Sequence, residues 1–219
     1  MYKGSKKLKA DLENILAMDI NICLFQGIYT KVYKALDQDL PRWLTYHNAA
    51  HTKYVIQQAV TIALHENISG RDLCLVKIAA LYHDAGFLIN HENHEEHGCA
   101  LASRELLGTQ LTQTEIDTVC GMILATNIPQ KPKNILEKIV ADADLEYLGT
   151  DKFEEFGGNL YKELLHFNPK LSLKEWDKIQ IDFLSNHSYH TNYCKIHKEP
   201  RKQQNLEMVK ERHLVWPGK

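Results

Sequence analysis

The chain has 219 residues and a mass of 25.3 kDa, a length that predicts one domain with a sizeable core. Its formal net charge is -2, with both signs interspersed along the sequence. This excludes the basic stripe by which proteins track phosphate backbones, so no nucleic-acid polymer is expected as a partner. The five cysteines form no CxxC pair. We therefore predict neither a disulfide framework nor a cysteine zinc site, and we expect a reducing, cytoplasmic location.

The N-terminal segment is basic, and acidic residues interrupt its apolar positions at Asp11, Glu13 and Asp19. No signal-peptide core and no membrane span are predicted in it, and no membrane is expected as a partner. We interpret residues 1–20 as the solvated start of a helix.

Hydrophobic spacing is helical nearly everywhere in the sequence and strict alternation is rare, so an all-α fold is predicted. Capping signals mark two helix starts: Thr112 to Glu115 is a capping-box pattern, and Asn134 is followed by an acidic third position. We expect the C-terminal third to pack on the first two as one domain over residues 1–219. The predicted helices, in chain order, cover residues 53–66, 71–85, 95–107, 112–125, 134–149 and 176–193, with a turn over 127–132.

Histidine is the one compositional excess, with twelve in the chain and seven of them between residues 47 and 97. The pair His83-Asp84 ends an apolar helix that should be buried, where two polar side chains need a physical reason. Imidazoles and carboxylates bind borderline divalent metals, and such a site gathers them from elements that are distant in sequence. The candidate ligands are His51, His83, Asp84, and Asp142 or Asp144.

Three segments carry a family resemblance: YHNAAH at residues 46–51, AALYHDAGF at 79–87 and IVADADLEYLG at 139–149. Their order, H, then HD, then D, resembles the HD superfamily of metal-dependent phosphohydrolases. YHNAAH is similar to the YHNxxH opening of the cyclic-nucleotide phosphodiesterases in that superfamily. The resemblance covers about residues 44–149 and implies an HD-domain helical bundle, with residues 150–219 as a helical extension.

The resemblance implies a role for four residues near the start of this region. His51, His83 and Asp84 match metal ligands, and Asp84 would also lie next to the attacking water. His47 matches the residue that donates a proton to the leaving oxygen. On the residues alone, His47 has an alternative interpretation, a hydrogen bond to a carbonyl near the start of a helix.

The last ligand is either Asp142 or Asp144. Helical-wheel spacing leaves both open, because the two carboxylates flank the apolar stripe of their helix on opposite sides. The superfamily pattern Ile/Leu-Val-x-x-Ala-Asp favours Asp144 as the ligand. Asp142 is then a neighbouring partner of the ligands, or the alternative ligand.

The polar segment HENHEEH at residues 91–97 adds three histidines. Two-metal members of the superfamily place further histidines between the HD pair and the final aspartate. No histidine lies between Gly98 and Asp144, so a single metal is predicted. We predict that His94 and Glu95 line the substrate entrance, and a solvated acidic turn is the alternative.

A second cluster has a spacing that would place its members on one face of a helix. A straight helix separates the first and last members by about 15 Å, too far for one ion. We therefore favour a packing face there over a metal site. The members are His187, His190, Cys194 and His197.

The function predicted from these observations is hydrolysis of a phosphate ester or diester of a small molecule, with a nucleotide as the leading candidate, through a metal-activated water. The cofactor is one divalent ion of Mn, Fe, Co, Ni, Zn or Mg. One alternative is a ligand-binding or regulatory domain that retains the metal without catalysis. A di-iron oxygenase of the same superfamily is less favoured, because the histidines for a second metal are missing. A homodimer stays open.

Overall fold

The structure is a computed structural model that describes the backbone of residues 4–216 and the side chains of residues 21–216 apart from Cys23. The prediction that residues 1–20 form a solvated helix start concerns side chains that lie outside the described residues. Within these bounds the fold is all-α, as predicted, and no helix is long and apolar enough to cross a membrane. The helices are α1 (Gly4–Asp39), α2 (Ala49–His65), α3 (Gly70–Tyr82), α4 (His94–Leu106), α5 (Gln113–Leu124), α6 (Ile135–Asp144), α7 (Phe153–Phe167), α8 (Leu173–Asn186), α9 (Asn192–His197) and α10 (Glu199–Val215), with 3-10 turns η1 (Ala85–Leu88) and η2 (Glu146–Gly149).

Both capping signals act as predicted. Thr112 accepts the backbone N–H of Glu115 at 3.3 Å while the Glu115 carboxylate accepts the backbone N–H of Thr112 at 2.8 Å, which completes a capping box for α5. Asn134 accepts the backbone N–H of Glu137 at 3.0 Å and opens α6. These caps satisfy amide groups that have no partner inside a helix, so they fix where the helices begin.

Two predicted helices stop several residues before their predicted C-terminal ends. α6 stops at Asp144, and η2 follows it where a continuous helix to Gly149 was expected. The helix expected over residues 176–193 also breaks, because α8 ends at Asn186 and the next residue is extended, with φ -77° and ψ 137°. Thr191 then caps a separate helix by accepting the backbone N–H of Cys194 at 3.2 Å. The chain after α8 therefore forms two further helices, α9 and α10.

α3 is the central helix of the larger hydrophobic core. Every residue from Cys74 to Tyr82 except Lys77 is buried, and the helix packs against α1, α2, α5 and α6. A second, smaller core forms where η2 and α10 meet α8. A helix that is apolar nearly all round belongs in the interior, so the two polar residues that follow α3 lie inside the molecule.

Two glycines allow α4 to pack directly on the turn that follows α3. A Cβ on Gly86 would lie 1.8 Å from the backbone oxygen of His94, and a Cβ on Gly98 would lie 2.9 Å from that of Tyr82. No side chain fits between these backbones. The contact brings the first residues of α4 to the end of α3.

Candidate metal centre

Four side chains from α2, α6 and the end of α3 meet inside the molecule. His51 Nε2 lies 3.1 Å from Asp144 Oδ1 and 3.4 Å from His83 Nε2. Asp84 Oδ2 lies 3.1 Å from His83 Nε2 and 3.5 Å from His51 Nε2. Ligand atoms about 2.0–2.2 Å from one ion lie roughly 3–4 Å from each other. The four residues therefore have the spacing of a ligand set.

The hydrogen bonds around the cluster also fit a cation. His83 Nδ1 bonds the backbone oxygen of Ala80 at 2.8 Å, which leaves Nε2 as the atom that faces the cluster. Asp84 Oδ2 and His51 Nδ1 are buried and have no hydrogen-bond partner among the described residues. Asp84 Oδ2 faces the two imidazoles without a hydrogen bond of normal geometry, and a bound cation would neutralise this buried carboxylate oxygen. The His/His/Asp cluster and the adjoining Asp84 thus fit a divalent metal site.

Imidazoles and carboxylates perturb each other strongly in this cluster. Burial alone would raise the pKa values of Asp84 and Asp144, but the neighbouring histidines outweigh it and hold both pKa values well below their usual range. Burial would lower the pKa of His83, but the two carboxylates raise it well above its ordinary value. Without a cation, a proton on His83 balances the carboxylates, so protons and metal compete for the same atoms.

Asn48, to which the sequence assigned no role, positions His51. Its side chain accepts the backbone N–H groups of Ala50 at 2.9 Å and His51 at 3.2 Å, and it donates to the backbone oxygen of Thr45 at 2.9 Å. It is the N-cap of α2, which therefore begins four residues before the predicted helix. The strong preference of asparagine for N-cap positions was the signal that could have revealed this.

His47 lies beside the cluster, and Glu163 holds it there. His47 Nδ1 is 2.5 Å from Glu163 Oε1, and Glu163 Oε2 accepts the backbone N–H groups of Tyr46 at 2.9 Å and His47 at 3.1 Å. Burial lowers the pKa of His47, but the charge of Asp84 and the bond to Glu163 outweigh it, so the pKa is raised. Sequence analysis missed Glu163, because 116 residues separate the partners and no motif marks it.

His94 and Glu95 lie at the edge of the cluster. The His94 ring stacks on Phe87 with ring centres 4.2 Å apart, and its Nε2 is 3.7 Å from Asp84 Oδ1 and 3.4 Å from Glu95 Oε1. Glu95 is buried, so the alternative of a solvated acidic turn is wrong for this pair. Their role in substrate binding stays a prediction.

Asp142 points to a different part of the molecule. Its Oδ1 accepts the backbone N–H of His190 at 2.9 Å, and its Oδ2 accepts the backbone N–H and the hydroxyl of Thr191 at 2.8 and 2.6 Å. Both oxygens are thus used to tie the start of α9 to α6. The geometry contradicts Asp142 as an alternative ligand and brings Asp144 to the cluster in its place.

The second histidine cluster does not share one helix, as its spacing suggested. His187 directly follows α8 and His190 lies in the following loop, while the other two members lie in α9. His187 Nδ1 is 3.4 Å from Lys202 Nζ, and burial together with this charge lowers the pKa of His187 to about 3. An imidazole beside a buried ammonium is a poor ligand for a cation.

Known proteins resemble this chain in sequence and in fold. Residues 48–146 match the model of the HD domain. The crystal structure of Bacillus subtilis YpgQ in complex with ADP is similar at 19% identity and a TM-score of 0.59, over 91% of this chain and 98% of that one. The crystal structure of a predicted HD superfamily hydrolase from an uncultured Thermotogales bacterium is similar at 20% identity and a TM-score of 0.53, over 88% and 91%. No curated protein matches the chain. At these identities the structural likeness shows the fold alone, and the match to the HD domain is confined to residues 48–146.

Proposed function

We propose that the protein is a metal-dependent phosphohydrolase that acts on a phosphate ester or diester of a small molecule, with a nucleotide as the leading candidate. One observation carries the proposal: two imidazoles and two carboxylates converge on one buried point, where an oxygen of Asp84 has no hydrogen-bond partner among the described residues. Two facts about similar proteins support it. One is described as a predicted HD superfamily hydrolase, and the other was crystallised with ADP, a phosphorylated nucleotide.

His51, His83, Asp84 and Asp144 would hold one divalent cation. When bound, such an ion polarises a phosphoryl oxygen and lowers the pKa of a water molecule, which supplies a nucleophile at neutral pH. Asp84 has a second task in this proposal. It is ionised at neutral pH, as a base must be, and it would orient the attacking water and accept its proton.

His47 donates the proton to the leaving oxygen. Glu163 fixes the ring through Nδ1, so that Nε2 is the atom left to reach a substrate. The raised pKa of His47 keeps a larger share of the side chain protonated near neutral pH, as a general acid requires. His94, which lies next to Asp84, and Glu95, which lies next to His94, would position the substrate at the entrance.

The experiment combines metal analysis with a substrate panel. The purified protein and its His83→Ala and Asp84→Ala variants are analysed for metal per chain, and each is assayed on nucleotides and phosphate esters with Mn, Co, Ni, Zn and Mg. We expect one metal per chain and metal-dependent hydrolysis by the parent protein, and loss of both in the variants. His65→Ala, which removes an exposed histidine from the far end of α2, is the matched control.

Each alternative has its own signature in this experiment. Full metal content in both variants would contradict the ligand assignment. Bound metal without hydrolysis of any ester would favour a regulatory domain. Two irons per chain together with oxygen consumption would favour the oxygenase.

A further inference from the structure

An apolar cavity of about 270 Å3 opens beside the candidate metal centre, between α7 and α8. Asp144 and His47 line it, so the cavity is continuous with the centre. The rest of the wall is mainly leucines and aromatic rings, among them Phe153, Trp176 and Phe183. Its volume lies near the lower end of ligand pockets, about 300–1,000 Å3, which suits one ring system.

Gln180 brings a polar group to this apolar wall. The residue is 7% exposed, and Arg212 Nη2 donates to its Oε1 at 3.0 Å. A guanidinium can only donate, so the atom that faces Arg212 must be the amide oxygen. Asp177 accepts from Arg212 at 2.6 Å and fixes the guanidinium in turn. The orientation of the Gln180 amide is therefore set, with its nitrogen directed away from Arg212.

The amide nitrogen lies on the cavity side. Gly157 lines the cavity, and a Cβ at that position would lie 2.9 Å from Gln180 Nε2. The absence of a side chain at Gly157 lets this nitrogen lie close to the α7 backbone, which itself lines the cavity. Among residues 21–216, apart from Cys23, none accepts a hydrogen bond from Gln180 Nε2. An oriented amide donor in an apolar wall is thus available to a ligand.

We propose that Gln180 sets substrate specificity by donating a hydrogen bond to the organic part of the substrate, an aromatic ring system that carries an acceptor such as a carbonyl oxygen or ring nitrogen. This inference rests on the proposed function, which places the phosphate at the metal centre. A pure hydrocarbon group would bury the amide N–H without a partner, and a charged group would lose its hydration among apolar side chains. A ring with one acceptor satisfies both constraints.

The test measures binding without turnover. Dissociation constants for 7-hydroxy-4-methylcoumarin and 2-naphthol, two fused-ring phenols of which the first also carries a carbonyl, are determined by calorimetry on metal-free protein. We expect about tenfold tighter binding of the coumarin, as one net hydrogen bond gives. Gln180→Leu should bring the ratio to about one. Gln180→Glu keeps an oxygen for Arg212 but replaces the donor by an acceptor, so the coumarin should then bind more weakly than the naphthol.

Gln57→Leu, which changes an exposed glutamine on α2, is the matched control and should keep the parent ratio. Equal affinities for the two compounds in the parent protein, no binding of either, or an unchanged ratio in both Gln180 variants would overturn the inference. This test involves no hydrolysis, so it is independent of the proposed function. If only the proposed function were wrong, the parent protein would be inactive in the substrate panel but would still bind the coumarin about tenfold more tightly than the naphthol.

Discussion

The bond between Glu163 and His47 offers a quantitative test of the proton-donor role. Glu163→Gln keeps the size of the side chain and one oxygen for the backbone N–H groups of residues 46 and 47, but it places an amide group against His47 Nδ1. A hydrogen bond to a charged group contributes about 1.5–3 kcal/mol, and one pKa unit corresponds to about 1.36 kcal/mol. The pKa of His47 should therefore fall by about 1–2 units.

A general acid works in its protonated form, so hydrolysis is lost as the pH rises through the pKa of His47. In Glu163→Gln this loss should begin about 1–2 pH units lower, in step with the expected fall in the pKa. NMR titration of the histidine C–H signals measures the pKa, and the pH profile of hydrolysis measures its consequence. Metal content should stay at the parent level. Glu155→Gln, an exposed change on the same helix, should alter neither. An unchanged pKa of His47, or a loss of metal that matches the loss of activity, would refute the reasoning.

Three further predictions concern ligand choice, acid stability and packing. Asp144→Ala should abolish metal binding in elemental analysis, whereas Asp142→Ala should keep the metal and lower the free energy of unfolding by about 1–3 kcal/mol, because three donors lose their acceptor. Hydrogen bonds from Arg71, and with them those from Thr112, lower the pKa of Glu115 from 4.5 to about 2. This contribution to stability is present above pH 4.5 and is lost as the pH falls through 2. Arg71→Met should therefore destabilise the protein more at neutral pH than in strong acid, where only the hydrogen bonds of Arg71 to Asn21 and Gln110 remain to be lost, as measured by urea unfolding. Gly86→Ala should lower the free energy of unfolding by about 1–3 kcal/mol or more in the same assay, because its Cβ would overlap a backbone oxygen of α4.

The sequence predicted those parts of the fold that depend on local signals. Helical periodicity and the caps at Thr112 and Asn134 act within a few residues, so they locate helices without knowledge of the neighbours. The failed helix over residues 176–193 shows the limit of this reasoning. Tyr189 is buried and continues the apolar spacing, but its backbone is not helical. Burial alone does not distinguish a packed loop from a packed helix.

For the site, the order of the motifs in the sequence predicted four metal ligands, and the structure places these four residues together. They are His51, His83, Asp84 and Asp144. Motif order could not find Glu163, since no pattern predicts which buried carboxylate will meet a loop that is 116 residues away. The partner of Asp142 was beyond reach for the same reason, because helical-wheel analysis describes the faces of one helix and not what covers them.

The polar contacts of the last two helices bear on how cooperatively the protein unfolds. Thr191 satisfies Asp142, the Lys198 ammonium pairs with the buried Glu146, and Asn205 donates to the backbone of η2 at 2.9 Å. A chain cut at residue 149 would leave these groups desolvated without partners or open to water. We therefore expect the folding unit to extend beyond the segment that resembles the HD domain in sequence, and a fragment that ends at residue 149 to be molten or to aggregate.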